Sequence, residues 1–266
     1  MQLLLTNDDG IDAPGLATLA EVAAAHSDII LVAPAAEQSG VGHRVTDKQP
    51  IRVHKHQLSR FAVEGTPADC ARLGLLHLAP GTHWLLSGIN AGGNLGSDIY
   101  MSGTVAAARE AALLGYPAIA LSQYRFFVDR PCNWSRAARW AARVVNELFA
   151  LPIAAGEFWN VNFPDPEADD AEPDLVVCPV DSGHHAVAFE NTAAGFLYSA
   201  LSRPPPRRRR RRRHLLRRSH RRLEADDPLL TVPPVRVLGS RRPTGSLSWP
   251  IKDAGAFAPQ SACRNR

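Results

Sequence analysis

The chain has 266 residues, 45% of them hydrophobic, enough apolar material for one large α/β domain or two small ones. Its net charge of +4 averages two unlike parts: residues 1–200 carry 12 Lys+Arg against 22 Asp+Glu, and residues 201–266 carry 18 against 4. No apolar run has the length of a membrane span, and the first segment lacks the basic stretch and small-residue cleavage site of a secretory signal, so the expectation is a cytoplasmic protein with no membrane partner.

The predicted elements begin with Leu3-Leu4-Leu5, which reads as a strand buried on both faces and stops at Thr6-Asn7-Asp8-Asp9-Gly10. Pro14 and Gly15 open a helix over 16–25, and 28–34 is a second buried strand, which makes a β-α-β unit from the first residues. Loop material follows through Thr46. Residues 51–56 alternate as a half-exposed strand would, and 61–63 form another short one. Thr66, with Pro67 next and Asp69 at the third helical position, reads as the N-cap of a helix over 70–78. A strand over 84–87 leads into a glycine-rich loop from Gly88 to Gly96, and 104–114 is an alanine-rich helix with Gly115 suited to its C-cap. A strand over 117–122, a helix over 135–148 and strands over 158–163 and 175–178 complete the pattern. Strands alternating with helices predict an α/β domain, its parallel-rich sheet covered on both sides.

After about residue 200 the pattern breaks. Pro204-Pro205-Pro206 precedes seven consecutive arginines, Arg207 to Arg213, and no helical or strand period follows. The chain therefore divides into a folded body over 1–200 and an Arg/Pro-rich tail over 201–266, whose composition cannot bury enough apolar area to fold alone. The four cysteines, Cys70, Cys132, Cys178 and Cys263, are widely spaced without a C-x-x-C pair, which fits reduced thiols better than a disulfide framework or a zinc site.

Chemistry concentrates in four loops that should meet at one edge of the sheet. In the first, the adjacent carboxylates of Asp8 and Asp9 repel each other and resist desolvation unless a cation or shared proton offsets the cost. Such an oxygen-rich site suits a hard divalent ion; a solvated turn is the alternative for the pentapeptide taken alone. In the second, Ser39 sits in a glycine-flanked turn and could offer a hydroxyl to a metal or phosphate, or simply stabilise the turn. In the third, Asn90 and Asn94 carry amide oxygens that hard cations accept, among glycines that also suit a flexible connection. This loop has neither the G-x-G-x-x-G dinucleotide fingerprint nor the G-K-[ST] ending of a Walker loop. In the fourth, Ser102-Gly103-Thr104 opens the alanine-rich helix, where free N–H groups and the helix dipole favour an anion. Metal ligands beside a phosphate cradle describe metal-assisted phosphate-ester hydrolysis.

Thr6-Asn7-Asp8-Asp9-Gly10, Ala13-Pro14-Gly15, Val32-Ala33-Pro34, Gln38-Ser39-Gly40, Gly65-Thr66-Pro67-Ala68-Asp69-Cys70, Ser87-Gly88-Ile89-Asn90 and Ser102-Gly103-Thr104-Val105 occur in the order of the SurE family, the survival-protein 5'-nucleotidases. The chain resembles that family over roughly 1–198. The resemblance implies a Rossmann-like three-layer sandwich with a mostly parallel sheet, one Mg²⁺ or Mn²⁺, and hydrolysis of nucleoside monophosphates. It implies Asp8, Asp9, Ser39 and Asn90 as metal ligands, with Asp8 and Asp9 catalytic, and Asn94, Ser102, Gly103 and Thr104 around the phosphate. One aspartate would accept the proton of an attacking water; a phospho-aspartate route is the lesser alternative.

Val187-Ala188-Phe189-Glu190 and Phe196-Leu197-Tyr198 still resemble the family, but beyond them the arginine tract replaces its glycine- and aspartate-containing stretch and closing strand. A shift of reading frame in the coding sequence would leave that pattern. Members build homodimers or tetramers through arms in this region, so the tail removes the segment on which such assembly would rest. The rival readings are an inactive truncated paralogue, or a protein binding nucleic acid through the arginine tract with steep salt dependence. A solvated, disordered run is favoured over the latter. The histidines show no ligand spacing tied to the carboxylates, and Trp84, Trp134, Trp140 and Trp159 are expected in the core, with base stacking the alternative for one of them.

Overall fold

The structure, a computed structural model, describes residues 1–25, 27–127, 129–166, 172–178, 180, 187–200 and 235–239. The apolar N-terminal segment forms strand β1 (Gln2–Thr6), followed by helix α1 (Pro14–Ala24) and β2 (Asp28–Pro34). β3 (Val53–Gln57) and β4 (Arg60–Val63) lead to α2 (Pro67–Leu73), which runs on as one π-helical turn over Gly74–Leu78. β5 (Trp84–Asn90), α3 (Asp98–Met101), α4 (Gly103–Leu113), β6 (Ala118–Gln123), α5 (Trp134–Phe149), β7 (Phe158–Phe163) and β8 (Val176–Cys178) follow. β9 (Val187–Thr192) and β10 (Gly195–Ala200) pair as a separate two-stranded hairpin, and β11 (Val235–Gly239) returns to the main sheet.

The main sheet has the order β3-β4-β2-β1-β5-β6-β7-β11-β8, parallel throughout except for the β3–β4 and β11–β8 pairings at its two edges. Alternate residues of each strand feed two cores. Leu3 and Leu5 of β1, Leu86, Ile119, Leu121 and Trp159 pack under α1 and α5, while Leu4, Leu85, Ala118, Ala120 and Phe158 pack under α2 and α4. This is the expected α/β three-layer sandwich with a mostly parallel sheet. Trp140 and Trp159 are buried and Trp84 and Trp134 pack against the same core, as expected of them. No described helix is long and apolar enough to cross a membrane.

Several elements differ from the sequence reading: β5 runs on to Asn90, so Asn90 ends a strand instead of lying in the loop, and β9 and β10 form a hairpin where no strand was read. β3 is exposed along its whole length rather than half-exposed, because it is an edge strand with no helix packed over it. The single turn α3 is too short to show a period. Beyond residue 200 no strand was expected, yet Val235–Gly239 lies parallel to β7 in the main sheet, consistent with a Val-Arg-Val-Leu sequence of high β propensity. The arginine tract at 207–213 and Cys263 lie outside the described residues, as do His184 and His185.

α2 begins as its sequence predicts. The Thr66 hydroxyl accepts from the Asp69 N–H (3.2 Å) and the Asp69 carboxylate accepts from the Thr66 N–H (2.9 Å), a reciprocal capping box. Thr66 also donates its hydroxyl to the Arg44 carbonyl at 2.6 Å, tying the loop after β2 to the helix start. Thr66→Ala therefore removes two contacts and is expected to cost about 1–2 kcal/mol of stability, measured by urea denaturation. A variant within 0.3 kcal/mol (roughly the noise of such comparisons) of the parent would show that the box carries no weight.

Candidate active site

The carboxyl ends of β2, β1 and β5 lie side by side at the centre of the sheet, and β1 and β5 flank the point where the chain switches direction across it. The first loop leaves β1 at Asn7, whose side chain bonds both the Gly10 carbonyl (2.8 Å) and the Gly10 N–H (3.2 Å). That closed turn, completed by Gly10 at φ +106°, fixes Asp8 and Asp9 within it. The Gln38 N–H donates to the Asp8 carbonyl at 2.7 Å, so the second loop is pinned to the first.

Asp8 is buried, and its carboxylate faces the start of α4. The Thr104 hydroxyl donates to Asp8 Oδ1, and the N–H groups of Gly103 and Thr104 bond the same carboxylate. A Cβ on Gly103 would lie 2.7 Å from Asp8 Cβ and 2.9 Å from Pro67 Cγ, so only glycine allows this approach. Burial raises the Asp8 pKa even against these hydrogen bonds. Asp9 is partly open; burial and the neighbouring charge of Asp8 push its carboxyl up to about 6, with Glu37 adding to the repulsion. The Ala91 N–H, directly after β5, bonds Asp9 and opposes the shift. Three loops thus converge on two carboxylates whose nearest acting charges are negative.

The other expected residues fall into distinct settings. Asn90 turns its amide nitrogen to the Gly92 carbonyl (2.9 Å), so its amide oxygen is not used by that bond. Ser39 is exposed on the rim and donates its hydroxyl to Glu37 Oε1 at 2.6 Å, keeping oxygen lone pairs available. Ser102 accepts from the Val105 N–H (3.1 Å) as N-cap of α4, so its hydroxyl proton is not used by the cap. Asn94 is buried and donates to Ser122 Oγ at 2.8 Å. The start of α4, expected as a phosphate cradle, is occupied in part by Asp8 itself. Among the described residues no three His, Cys, Asp or Glu side chains cluster as a metal site, so a cation here would rest on two carboxylates and neutral oxygens. That donor set fits a hard, oxygen-seeking ion and not a thiolate- or imidazole-seeking one.

Two supporting networks escaped the sequence reading. Asn160 and Asn162 of β7 both donate to the Asn94 carbonyl (2.9 and 3.1 Å), and Asn162 accepts from the Asn94 N–H at 2.8 Å. The signal was two asparagines two apart in a buried strand, where asparagine is otherwise disfavoured. The second network joins the Ser39 loop to α4 and α2. His43 Nε2 meets Glu110 at 2.6 Å, Arg72 donates to Glu110 at 2.6 Å, and Arg109 approaches His43 Nδ1 at 3.3 Å. Since a guanidinium only donates, Nδ1 accepts and the proton sits on Nε2, facing Glu110. Burial works against ionising Glu110, but the bonds from His43 and Arg72 outweigh it and hold the carboxyl below its usual range.

The family model "Survival protein SurE" matches residues 3–186. A protein of Synechocystis sp. is 46% identical over 200 residues, 74% of this chain and 87% of its own length. A protein named 5'-nucleotidase SurE from Methylobacterium sp. is 40% identical over 199 residues, 73% of this chain and 79% of its own. Among solved structures, the SurE protein of Aquifex aeolicus superposes with a TM-score of 0.62 at 29% identity, covering 75% of this chain and 82% of that one.

Asp9 takes up its proton at about 6 when folded and near 3.8 when exposed, so between those values the folded state binds more protons and stability falls as pH rises. Asp9→Asn never ionises. In chelator-treated protein its Tm advantage over the parent should grow as pH is raised through about 6 and level off above it. A gap that stays constant across that range would show that the site does not hold the carboxyl up.

Proposed function

This chain belongs to the SurE family, and on that premise we propose that it hydrolyses nucleoside 5'-monophosphates to nucleoside and phosphate with one bound Mg²⁺ or Mn²⁺. The observation that carries the reading is the pair Asp8 and Asp9: two carboxylates fixed side by side at a topological switch point, both pushed toward the protonated form by burial. A divalent cation relieves that cost. Asp8, Asp9, Ser39 and Asn90 would hold it, through two carboxylates, a hydroxyl and an amide oxygen. Such an ion supplies Lewis acidity toward the phosphoryl oxygens and acidifies a water at neutral pH.

The chain's own groups divide the remaining work. Asp8 is held by Thr104 and the N–H groups of α4, so it serves as the immobile member of the pair. Asp9 has solvent access and accepts the proton of the attacking water. The water oxygen bonds to phosphorus, the bond from phosphorus to the 5'-oxygen breaks, the departing alkoxide takes a proton from solvent water, and Asp9 returns its proton to solvent. Ser102, whose hydroxyl proton the cap does not use, is the donor left to the phosphoryl oxygens and stabilises the charge that develops on them, while Thr104, Gly103 and Asn94, whose donors are engaged by Asp8 and Ser122, shape the floor beside the phosphate. The free thiols of Cys70, Cys132 and Cys178 support a reducing, cytoplasmic setting.

The test is phosphate release from adenosine 5'-monophosphate with Mg²⁺ or Mn²⁺ and after chelation. Asp8→Asn should abolish metal-dependent turnover while circular dichroism shows the fold retained; turnover preserved in that variant would remove the site from the reaction. Ser102→Ala loses one hydrogen bond to a charged group, so its kcat/KM should fall about 10- to 150-fold. A loss below about twofold would place Ser102 away from the phosphate.

A further inference from the structure

The loop that follows β6 carries Tyr124 and Phe126, which are 40% and 45% exposed although both are aromatic. Exposed aromatic rings on a mobile loop would be unremarked, but this loop is held at several points. The Tyr124 N–H bonds the Phe163 carbonyl at 2.9 Å. The Asp165 carboxylate accepts from the N–H groups of Phe126 (3.0 Å) and Phe127 (3.1 Å), and its other oxygen takes a hydrogen bond from Arg136 at 3.0 Å. That ion pair is itself 8% and 13% exposed, so its anchor lies inside the protein. Phe127 stacks edge-on to Phe126 at 4.9 Å and lies under the Arg130 guanidinium at 4.0 Å.

The loop is also placed against the carboxylates. The Tyr124 ring lies on Gly93, where a Cβ would meet it at 2.5 Å, and Gly93 is two residues beyond Ala91, whose N–H bonds Asp9. At the far end of the loop, Trp134 packs on Gly15 in the first turn of α1, just past the Asp8-Asp9 turn. Cys132 between them lies within reach of Asp9's charge. The Tyr124 ring is therefore fixed on the loop that runs from Ala91, which bonds Asp9, to Asn94.

We propose that Tyr124, with Phe126 beyond it, is the surface on which the nucleobase of the substrate stacks, making Tyr124 a specificity-determining residue. The inference rests on the nucleotidase reading above. A nucleoside monophosphate whose phosphate lies beside Ser102, at a cation that Asp8 and Asp9 would hold, must extend its base away from the buried start of α4, toward the open side of the site. A ring already ordered in the free protein loses little freedom on contact, and stacking on a π-face suits a base while giving nothing to a bare sugar phosphate.

The experiment compares adenosine 5'-monophosphate with ribose 5-phosphate, which lacks the base, in the parent, Tyr124→Ala and Tyr124→Phe. Stacking of one base is worth enough that the ratio of kcat/KM for the nucleotide over the sugar phosphate should fall about 5- to 100-fold in Tyr124→Ala. Tyr124→Phe should restore it, since the ring rather than the hydroxyl does the stacking. A ratio unchanged in Tyr124→Ala, or both substrates losing equally because the Gly93 loop has loosened, overturns the assignment. Calorimetric titration with adenosine, which has no phosphate, keeps this separate from hydrolysis: binding weakened in Tyr124→Ala and kept in Tyr124→Phe supports the wall even if no nucleotide is turned over, and equal binding in all three proteins refutes it.

Discussion

The close approach of Asp8 to the first turn of α4 governs the arrangement of everything around it. A carboxylate buried at the end of a central strand would be costly unless donors met it, and Thr104 with two backbone N–H groups meets it. That contact exists only because residue 103 has no side chain: the space a methyl would take belongs to Asp8 and Pro67. Helix, strand end and the start of α2 are thereby fixed to one another at a single point, and the loops after β2 and β5 assemble around it through the Gln38 and Ala91 N–H groups. The contact also explains why Asp9 is the reactive-looking member. Asp8 is given the helix terminus, so Asp9 is left with one backbone donor and its neighbour's repulsion.

The outer supports repeat this logic at longer range. Asn94 is held through its main chain by Asn160 and Asn162 and through its side chain by Ser122, so the end of the glycine-rich loop is fixed from two neighbouring strands. Glu110, nearly inaccessible on α4, gathers His43 from the second loop and Arg72 from α2. Loops rich in glycine are thus made rigid by polar side chains from the regular elements beneath them. Preorganisation of this kind is what a phosphoryl-transfer site requires, since most of its work is electrostatic and positional.

What could be read in advance follows from the range of the forces involved. Leu3-Leu4-Leu5 announces a doubly buried strand because its neighbours on both faces are helices, and Thr66-Pro67 with Asp69 announces a helix start because all its donors and acceptors are local. The carboxylates and the Ser102-Gly103-Thr104 turn were visible for the same reason. The setting of each was not. That Thr104 would serve Asp8, 96 residues away, or that Asn94 would be gripped by residues 66 and 68 positions further on, has no signature in local spacing. β3 misled because alternation signals a half-covered strand only when something covers it. Val235–Gly239 was hidden by the composition of its flanks.

Asp69 takes on a further meaning once its partners are counted together. Its two oxygens accept from the Thr66 N–H, which begins α2, and from both the N–H and hydroxyl of Thr46, which belongs to the loop carrying Ser39. One carboxylate thus closes a helix and clamps the Ser39 loop at once. Displacing Asp69 costs the loop both of its Thr46 bonds and the helix its N-terminal acceptor. Motion of the loop and fraying of the helix start thus draw on one carboxylate, and a disturbance at either is felt by the other.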